Sequence, residues 1–242
     1  MAADLPTCCN RSIGLVLFDL DGTLADTAPD LAYALNRTLE RFNRPPLTFE
    51  QIRPHVSHGG VAMIRAGFGI DQSHPDFDGY RKYFLDIYLE NIARETRLFP
   101  GMEQVIATFE ANQIPWGIVT NKPAWLTDPL MQQMALTRRA ACIISGDSTP
   151  YAKPHPHPIL YACELVGRSP EHCLYIGDAQ RDIEAGRNAG TATLTALFGY
   201  LGESDQPDQW GADGSLQQPL EILTRLGLSP PADYEQSGSM VS

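Results

Sequence analysis

Asp19 and Asp21 stand two residues apart at the end of an apolar run, Ile13–Phe18, in the stretch Asp19-Leu20-Asp21-Gly22-Thr23. On an extended strand end such residues point the same way, so the two carboxylates share a face. A third carboxylate, Asp178, follows another apolar run, Cys173–Ile176, with Asp182 behind it. Clustered carboxylates repel one another unless a cation sits among them, and hard oxygen donors favour Mg²⁺. Two further runs hand over to groups of complementary chemistry. Trp116–Val119 ends in Thr120-Asn121-Lys122, and Ala141–Ile144 leads through a loop to Lys153-Pro154. Magnesium, the Lys153 ammonium and the Thr120 hydroxyl make a pocket for a phosphoryl group, whose oxygens need positive charge and hydrogen bonds. One aspartate beside the metal can then serve as nucleophile and the other as acid and base.

These groups must be held by the elements that end in them. The short apolar runs, Ala192–Leu197 among them, read as strands buried on both faces. Between them Met102, Val105, Ile106 and Phe109, then Leu126, Leu130 and Met134, then Ile159, Leu160 and Cys163 repeat at helical spacing. The alternation predicts a doubly wound α/β fold with a parallel sheet, in which strand carboxyl ends converge on the site. The stretch from about Thr27 to Arg97 breaks the pattern. Thr27 reads as a helix cap, with Pro29 in the first turn and Asp30 three residues on. Leu31, Leu35 and Leu39 line one helical face, and Phe77, Tyr80, Phe84, Ile87 and Tyr88 another, with no strand-like run between them. The expected organisation is a core at residues 13–26 and 98–228, an inserted α-helical cap at 27–97, and flexible tails at 1–12 and 229–242.

Composition bounds the function. Of 242 residues, 43% are hydrophobic and 19% charged, an ordinary globular balance. Lys and Arg total 18 against 29 Asp and Glu, a formal net charge of −11. An acidic surface without a basic run argues against nucleic acid as a partner. No apolar run approaches membrane-spanning length, and five cysteines without CxxC spacing favour a reduced, cytoplasmic protein. Oligomeric state leaves no mark in the sequence.

Asp19-Leu20-Asp21-Gly22-Thr23, Thr120 in Val-Thr-Asn, Lys153 before a proline and Gly177–Asp182 (GDAQRD) resemble, in order and spacing, the four motifs of the haloacid dehalogenase (HAD) superfamily, over residues 13–228. The resemblance implies Asp19 as the nucleophile that accepts phosphate. It makes Asp21 the acid that protonates the leaving alkoxide and then the base that activates water. Asp19, the Asp21 backbone carbonyl and Asp178 become Mg²⁺ ligands. Thr120 and Lys153 hold phosphate oxygens, and Asp182 either supports the metal or orients Lys153. Gly22 lets backbone approach the phosphate, and Asn121 is a possible phosphate contact. An acid at position 21 fits phosphatases and phosphomutases, whereas dehalogenases lack one there and transport ATPases carry a lysine.

VTNKPAWLTDPL resembles the phosphoglycolate phosphatase subfamily. DTAPD, WGIVTNKP, HGGVAM and GYLGESDQPDQWGAD are more similar to N-acetylmuramic acid 6-phosphate phosphatases of cell-wall recycling. Both substrates are small phosphomonoesters with a carboxylate, so a cap-borne anion reader is expected, with Arg53, His58 and Arg65 as candidates. A phosphomutase would use the same motifs. A receiver-type phospho-accepting module is a remoter alternative, being shorter and lacking a helical insertion. His155 and His157 read as solvent-facing loop residues, and Asn121 and Lys122 also as helix-start and surface groups. Gly59-Gly60 lacks the downstream Lys-Ser/Thr of a nucleotide loop.

Overall fold

The computed structural model describes residues 6–231. Thr7–Cys8 (β1) and Arg11–Ser12 (β2) form a hairpin whose two turn residues, Cys9 and Asn10, both lie at positive φ, as a tight primed turn requires. The sequence reading puts a flexible tail here. The correction is physical: Cys8 is buried in the main core, and that contact holds the hairpin down. Residues 1–5, and 232–242 of the second expected tail, lie outside the described residues.

Leu15–Phe18 (β3) is followed by the short strand Ala25–Asp26 (β4) and then by four helices: Ala28–Arg41 (α1), Phe49–Ile52 (α2), Gly59–Phe68 (α3) and Phe77–Glu90 (α4). The chain returns through Arg97–Leu98 (β5), which pairs antiparallel with β4. After it come Met102–Ala111 (α5), Trp116–Val119 (β6), Ala124–Gln133 (α6), Cys142–Ile144 (β7), His157–Val166 (α7), Cys173–Gly177 (β8), Gln180–Ala189 (α8), Ala192–Ala196 (β9), Gly214–Leu216 (β10) and Glu221–Leu226 (α9). Six of the strands make one parallel sheet in the order β10-β9-β8-β3-β6-β7. The chain builds outward from β3 on one side and then from β8 on the other. The switch therefore falls at β3/β8, where a ligand crevice is expected beyond the strand ends.

Side-chain alternation divides the core. Val16 and Phe18 face a large cluster with Trp116, Ile118, Leu174 and Ile176, while Leu15 and Leu17 face a smaller one with Val119, Ile144, Cys173 and Tyr175. The larger cluster continues without a break into Leu31, Leu35, Ile64, Phe84 and Tyr88 of the helical insertion.

The two chain crossings between core and insertion are tied by one buried carboxylate. Asp30 accepts hydrogen bonds from the Glu95 and Thr96 amides (both 2.9 Å) and from the Thr96 hydroxyl (2.7 Å). The sequence reading assigned Asp30 to a capping pattern at the start of α1. The carboxylate instead reaches across to the returning chain. Asp30→Ala strips a charged acceptor from donors that stay buried, a loss of about 2–3 kcal/mol. For a chain of this size the thermal midpoint is expected to fall by roughly 5–10 °C. A midpoint within 1 °C of the parent protein in a melting experiment would contradict this role.

Candidate active site

Lys153 is the centre of the site. Its ammonium is fully buried, 2.9 Å from Asp19 Oδ1 and 2.7 Å from Asp182 Oδ1, and it donates to the Val119 carbonyl (2.9 Å) and the Tyr175 hydroxyl (2.8 Å). Tyr175 in turn donates to Val119 O. Asp19 follows β3, Val119 ends β6 and Lys153 lies in the loop after β7. Tyr175 and Asp182 come from β8 and the first turn of α8, so the parallel sheet converges them. Asn121 clamps the lysine's backbone, donating to Lys153 O (2.9 Å) and accepting from Lys153 N (3.0 Å). Its side chain thereby positions Lys153 while the residue still lines the cavity.

Asp19 Oδ1 is occupied by Lys153 and by the Leu20 amide at 2.8 Å. Oδ2 makes no hydrogen bond among the described residues, and Asp19 lines the main cavity. Oxygens of Asp19, Asp178 and Asp182 lie within 4.8 Å of one another, all three residues buried. This compact all-oxygen set fits a hard divalent cation such as Mg²⁺. The Asp21 side chain stays out of that set, and the group the resemblance offers from this residue is its backbone carbonyl. The Asp21 carboxylate accepts from Lys122 Nζ (2.9 Å) and from Thr27 Oγ1 (2.5 Å). The Thr27 hydroxyl therefore does not cap α1. Lys122, read as a surface residue, has its side chain 6% exposed and lies over the Tyr88 ring, 4.7 Å from its centroid.

Asp178 is held by the Tyr200 amide (2.9 Å) and by Ser57 Oγ of the insertion (2.7 Å). Gly22 sits beside it at φ +85°, where a Cβ would stand 2.1 Å from Asp178 Oδ2. The need for glycine there comes from the carboxylate, and Gly22 does not line the cavity. Arg181, from the first turn of α8, donates to Ser57 O (2.6 Å) and does line it.

Burial alone would raise the Asp19 carboxyl, but the charges of Lys153 and Arg181 hold it below the usual carboxylate range. Asp182 is raised by burial and by Asp19. Asp178 is pushed up to about 7, first by burial, then by Asp182 and Asp19. His58 is lowered by burial and by Arg181, which makes it a neutral donor or acceptor rather than a cation.

The cavity holds about 310 Å³ between sheet and insertion. At its inner end are Asp19, Asp21, Thr120, Asn121, Lys122 and Arg181; Leu31, Val56, Phe84, Leu85, Tyr88, Pro123 and Leu126 form an apolar wall; Ser57, His58, Gly59, Gly60 and Arg81 complete the lining. Arg53 is not there: it donates to Phe198 O and stacks 5.0 Å from the Tyr200 ring centroid. Arg65 also stays outside the lining. Residues the sequence reading missed are Lys122 as a buried partner of Asp21, and Tyr88, Arg81, Tyr175 and Arg181. Only Lys122 and Arg181 carried a signal, through their place inside the strand-end motifs.

A parallel sheet with this strand order, a helical insertion after its first strand, and an aspartate–lysine centre at the switch point define a hydrolase of the haloacid dehalogenase-like family. The profile of that family, described as haloacid dehalogenase-like hydrolase, matches residues 16–196, and the chain belongs to it. Within the family the chain is a phosphatase. It is 40% identical to an N-acetylmuramic acid 6-phosphate phosphatase of Pseudomonas putida, over 86% of this chain and 93% of that one. It is 39% identical to a phosphoglycolate phosphatase of Xylella fastidiosa, over 89% and 93%. A crystal structure from Haemophilus somnus, described as a predicted phosphoglycolate phosphatase, superposes with a TM-score of 0.78 at 27% identity, over 88% and 97%. No helix among the described residues is long and apolar enough to cross a membrane.

The raised Asp178 has a measurable consequence. Its folded pKa lies above its unfolded value, so in the metal-free protein its contribution to stability falls as pH rises from about 4 to about 7. A divalent cation competes with that proton and relieves the repulsion. Mg²⁺ is therefore expected to raise the melting temperature more at pH 8 than at pH 5, and Asp178→Asn to reduce the difference. Equal shifts at both pH values would count against the three-aspartate site.

Proposed function

We propose that this chain is a Mg²⁺-dependent phosphomonoesterase working through an aspartyl-phosphate on Asp19, and that its substrate is N-acetylmuramic acid 6-phosphate rather than 2-phosphoglycolate. One observation carries the reading: the free Oδ2 of Asp19 opens onto a cavity of about 310 Å³ with a long apolar wall. A two-carbon acid phosphate would fill a small part of that space and reach little of the wall. An N-acetylated sugar with a lactyl ether has the bulk and the apolar surface to use it.

Asp19 Oδ2 attacks phosphorus, its bond to phosphorus forming as the ester P–O bond breaks. Asp21, beside Asp19 at the inner end of the cavity, gives its proton to the departing alkoxide. Water then attacks the aspartyl-phosphate, Asp21 takes its proton, and inorganic phosphate leaves with Asp19 regenerated. Lys153 keeps Asp19 ionised and oriented for the attack. Thr120 and Arg181, both in the lining, are the donors placed for the phosphoryl oxygens. Asp19, Asp178 and Asp182 would hold Mg²⁺, which supplies positive charge for those oxygens. Five free thiols suit a reducing compartment, and we place the enzyme in the cytoplasm.

Phosphate release with Mg²⁺ or EDTA, measured on N-acetylmuramic acid 6-phosphate, 2-phosphoglycolate and simple sugar phosphates, tests this. Metal-dependent preference for the sugar acid is expected, as is loss of turnover in Asp19→Asn with the fold retained. Preference for 2-phosphoglycolate would overturn the substrate, and near-normal Asp19→Asn activity would overturn the nucleophile. Activation by a sugar bisphosphate with little free phosphate would favour a mutase.

A further inference from the structure

The cavity has one cation in its lining that no partner holds. Arg81, on α4, makes no ion pair or hydrogen bond among the described residues, and no acidic side chain lines the cavity beyond Asp19 and Asp21 at its inner end. Of the other cations in the lining, Lys122 is paired with Asp21, and Arg181, which donates to the Ser57 carbonyl, stands at the phosphoryl end. An arginine without a counter-charge beside an apolar cavity is an open fork for a planar anion.

Its position gives a length. Arg81, Phe84, Leu85 and Tyr88 all line the cavity at helical spacing, so they form one stripe along α4. Tyr88 marks the inner end, because Lys122 bridges from its ring to Asp21. Seven residues of helix place Arg81 roughly 10 Å farther along the axis. Two features reinforce that outer end and the wall beneath it. The Arg81 Nε atom packs 3.6 Å from where a Gly60 Cβ would stand, which sets the guanidinium beside the first turn of the ten-residue helix α3, where backbone amides and the helix dipole favour an anion. At the inner end the Tyr88 hydroxyl is sealed from solvent beside the Lys122 ammonium, so that end of the wall offers no free cation.

Building on the proposed substrate reading, we infer that Arg81 is the specificity residue of this enzyme, binding the substrate's carboxylate at the far end of the cavity from the phosphoryl group. In 2-phosphoglycolate three bonds of about 1.5 Å separate phosphorus from the carboxylate carbon, a span of roughly 4 Å. That span cannot reach from the Asp19–Asp21 end to Arg81. In a hexose 6-phosphate with a lactyl ether on C3, the path through the ring covers about twice that distance and brings the acid to the arginine. His58, which also lines the cavity, is neutral and contributes a hydrogen bond at most. The device is a ruler: sheet residues take one anion and α4 takes the other.

The test compares kcat/KM for N-acetylmuramic acid 6-phosphate with that for N-acetylglucosamine 6-phosphate, the same sugar without the lactyl acid. The parent enzyme should favour the first. In Arg81→Ala that ratio should fall by about 10- to 100-fold, the loss of one charge-assisted anchor, and Arg81→Lys should restore part of it. Arg81 is exposed and unbonded, so melting curves of both variants should match the parent's. A parent preference that survives Arg81→Ala unchanged would overturn this inference alone. A parent enzyme with no preference for the acid would overturn the substrate reading and this inference with it.

Discussion

Everything in the site depends on one lysine buried between two carboxylates. Removing an ammonium from water is costly, and an ion pair in a protein interior often returns no net stability. Lys153 is nonetheless fully buried, with Asp19, Asp182, Val119 O and Tyr175 around it. What the arrangement secures is the state of Asp19. One carboxylate oxygen is pinned, the other is left free, and the group stays ionised where burial alone would protonate it. Three aspartates share the site with two cations, Lys153 and Arg181, and burial together with the remaining negative charge pushes Asp178 up. An all-oxygen cluster in that condition fits a divalent cation, and on the proposed function a phosphoryl group would then complete the balance of charge.

The helical insertion is wired to the same carboxylates. Ser57 donates to Asp178, Arg181 donates back to the Ser57 carbonyl, and Thr27, at the root of α1, donates to Asp21. Tyr200 links the two sides again, its amide on Asp178 and its hydroxyl on Asp26 beside the chain crossing. The orientation of the insertion is therefore tied to the geometry of the charged groups through hydrogen bonds a few bonds long. Lys122 adds a further tie by lying over Tyr88 of α4 while it holds Asp21. The seating of the insertion and the orientation of Asp21 are parts of one network.

The fold was legible because its signal is local. Continuous apolar runs ending in polar clusters are what a doubly covered parallel sheet requires, and β3, β6, β7, β8 and β9 fall within those runs. The charged centre was legible for the same reason: its residues sit at strand ends, where topology alone brings them together. What sequence reasoning missed depends on side-chain direction. Asn121 could face a ligand or a neighbouring backbone, and only the fold shows that it grips Lys153. Lys122 follows a strand end as a surface group would, yet a helix from the insertion covers it. Gly22 reads from sequence as a close approach, and among the protein's own atoms the one it makes room for is Asp178 Oδ2. The hairpin at Thr7–Ser12 escaped notice because two-residue strands have no periodicity to detect.

The division of labour between sheet and insertion has an energetic logic. Groups at the sheet end of the cavity meet only the phosphoryl group and the oxygen leaving it, so they serve any phosphomonoester alike. Discrimination must come from the apolar wall and the lining of α3 and α4, which touch parts of the substrate that do not react. Binding energy gathered there accelerates the reaction only if it is realised with the reacting centre in place. The bonds from Ser57 to Asp178 and from Thr27 to Asp21 offer that connection, because a ligand that seats the insertion correctly also seats the acids. A small phosphate that left the wall bare would meet the same chemical groups with less to hold them in register. In this architecture selectivity and rate draw on the same contacts.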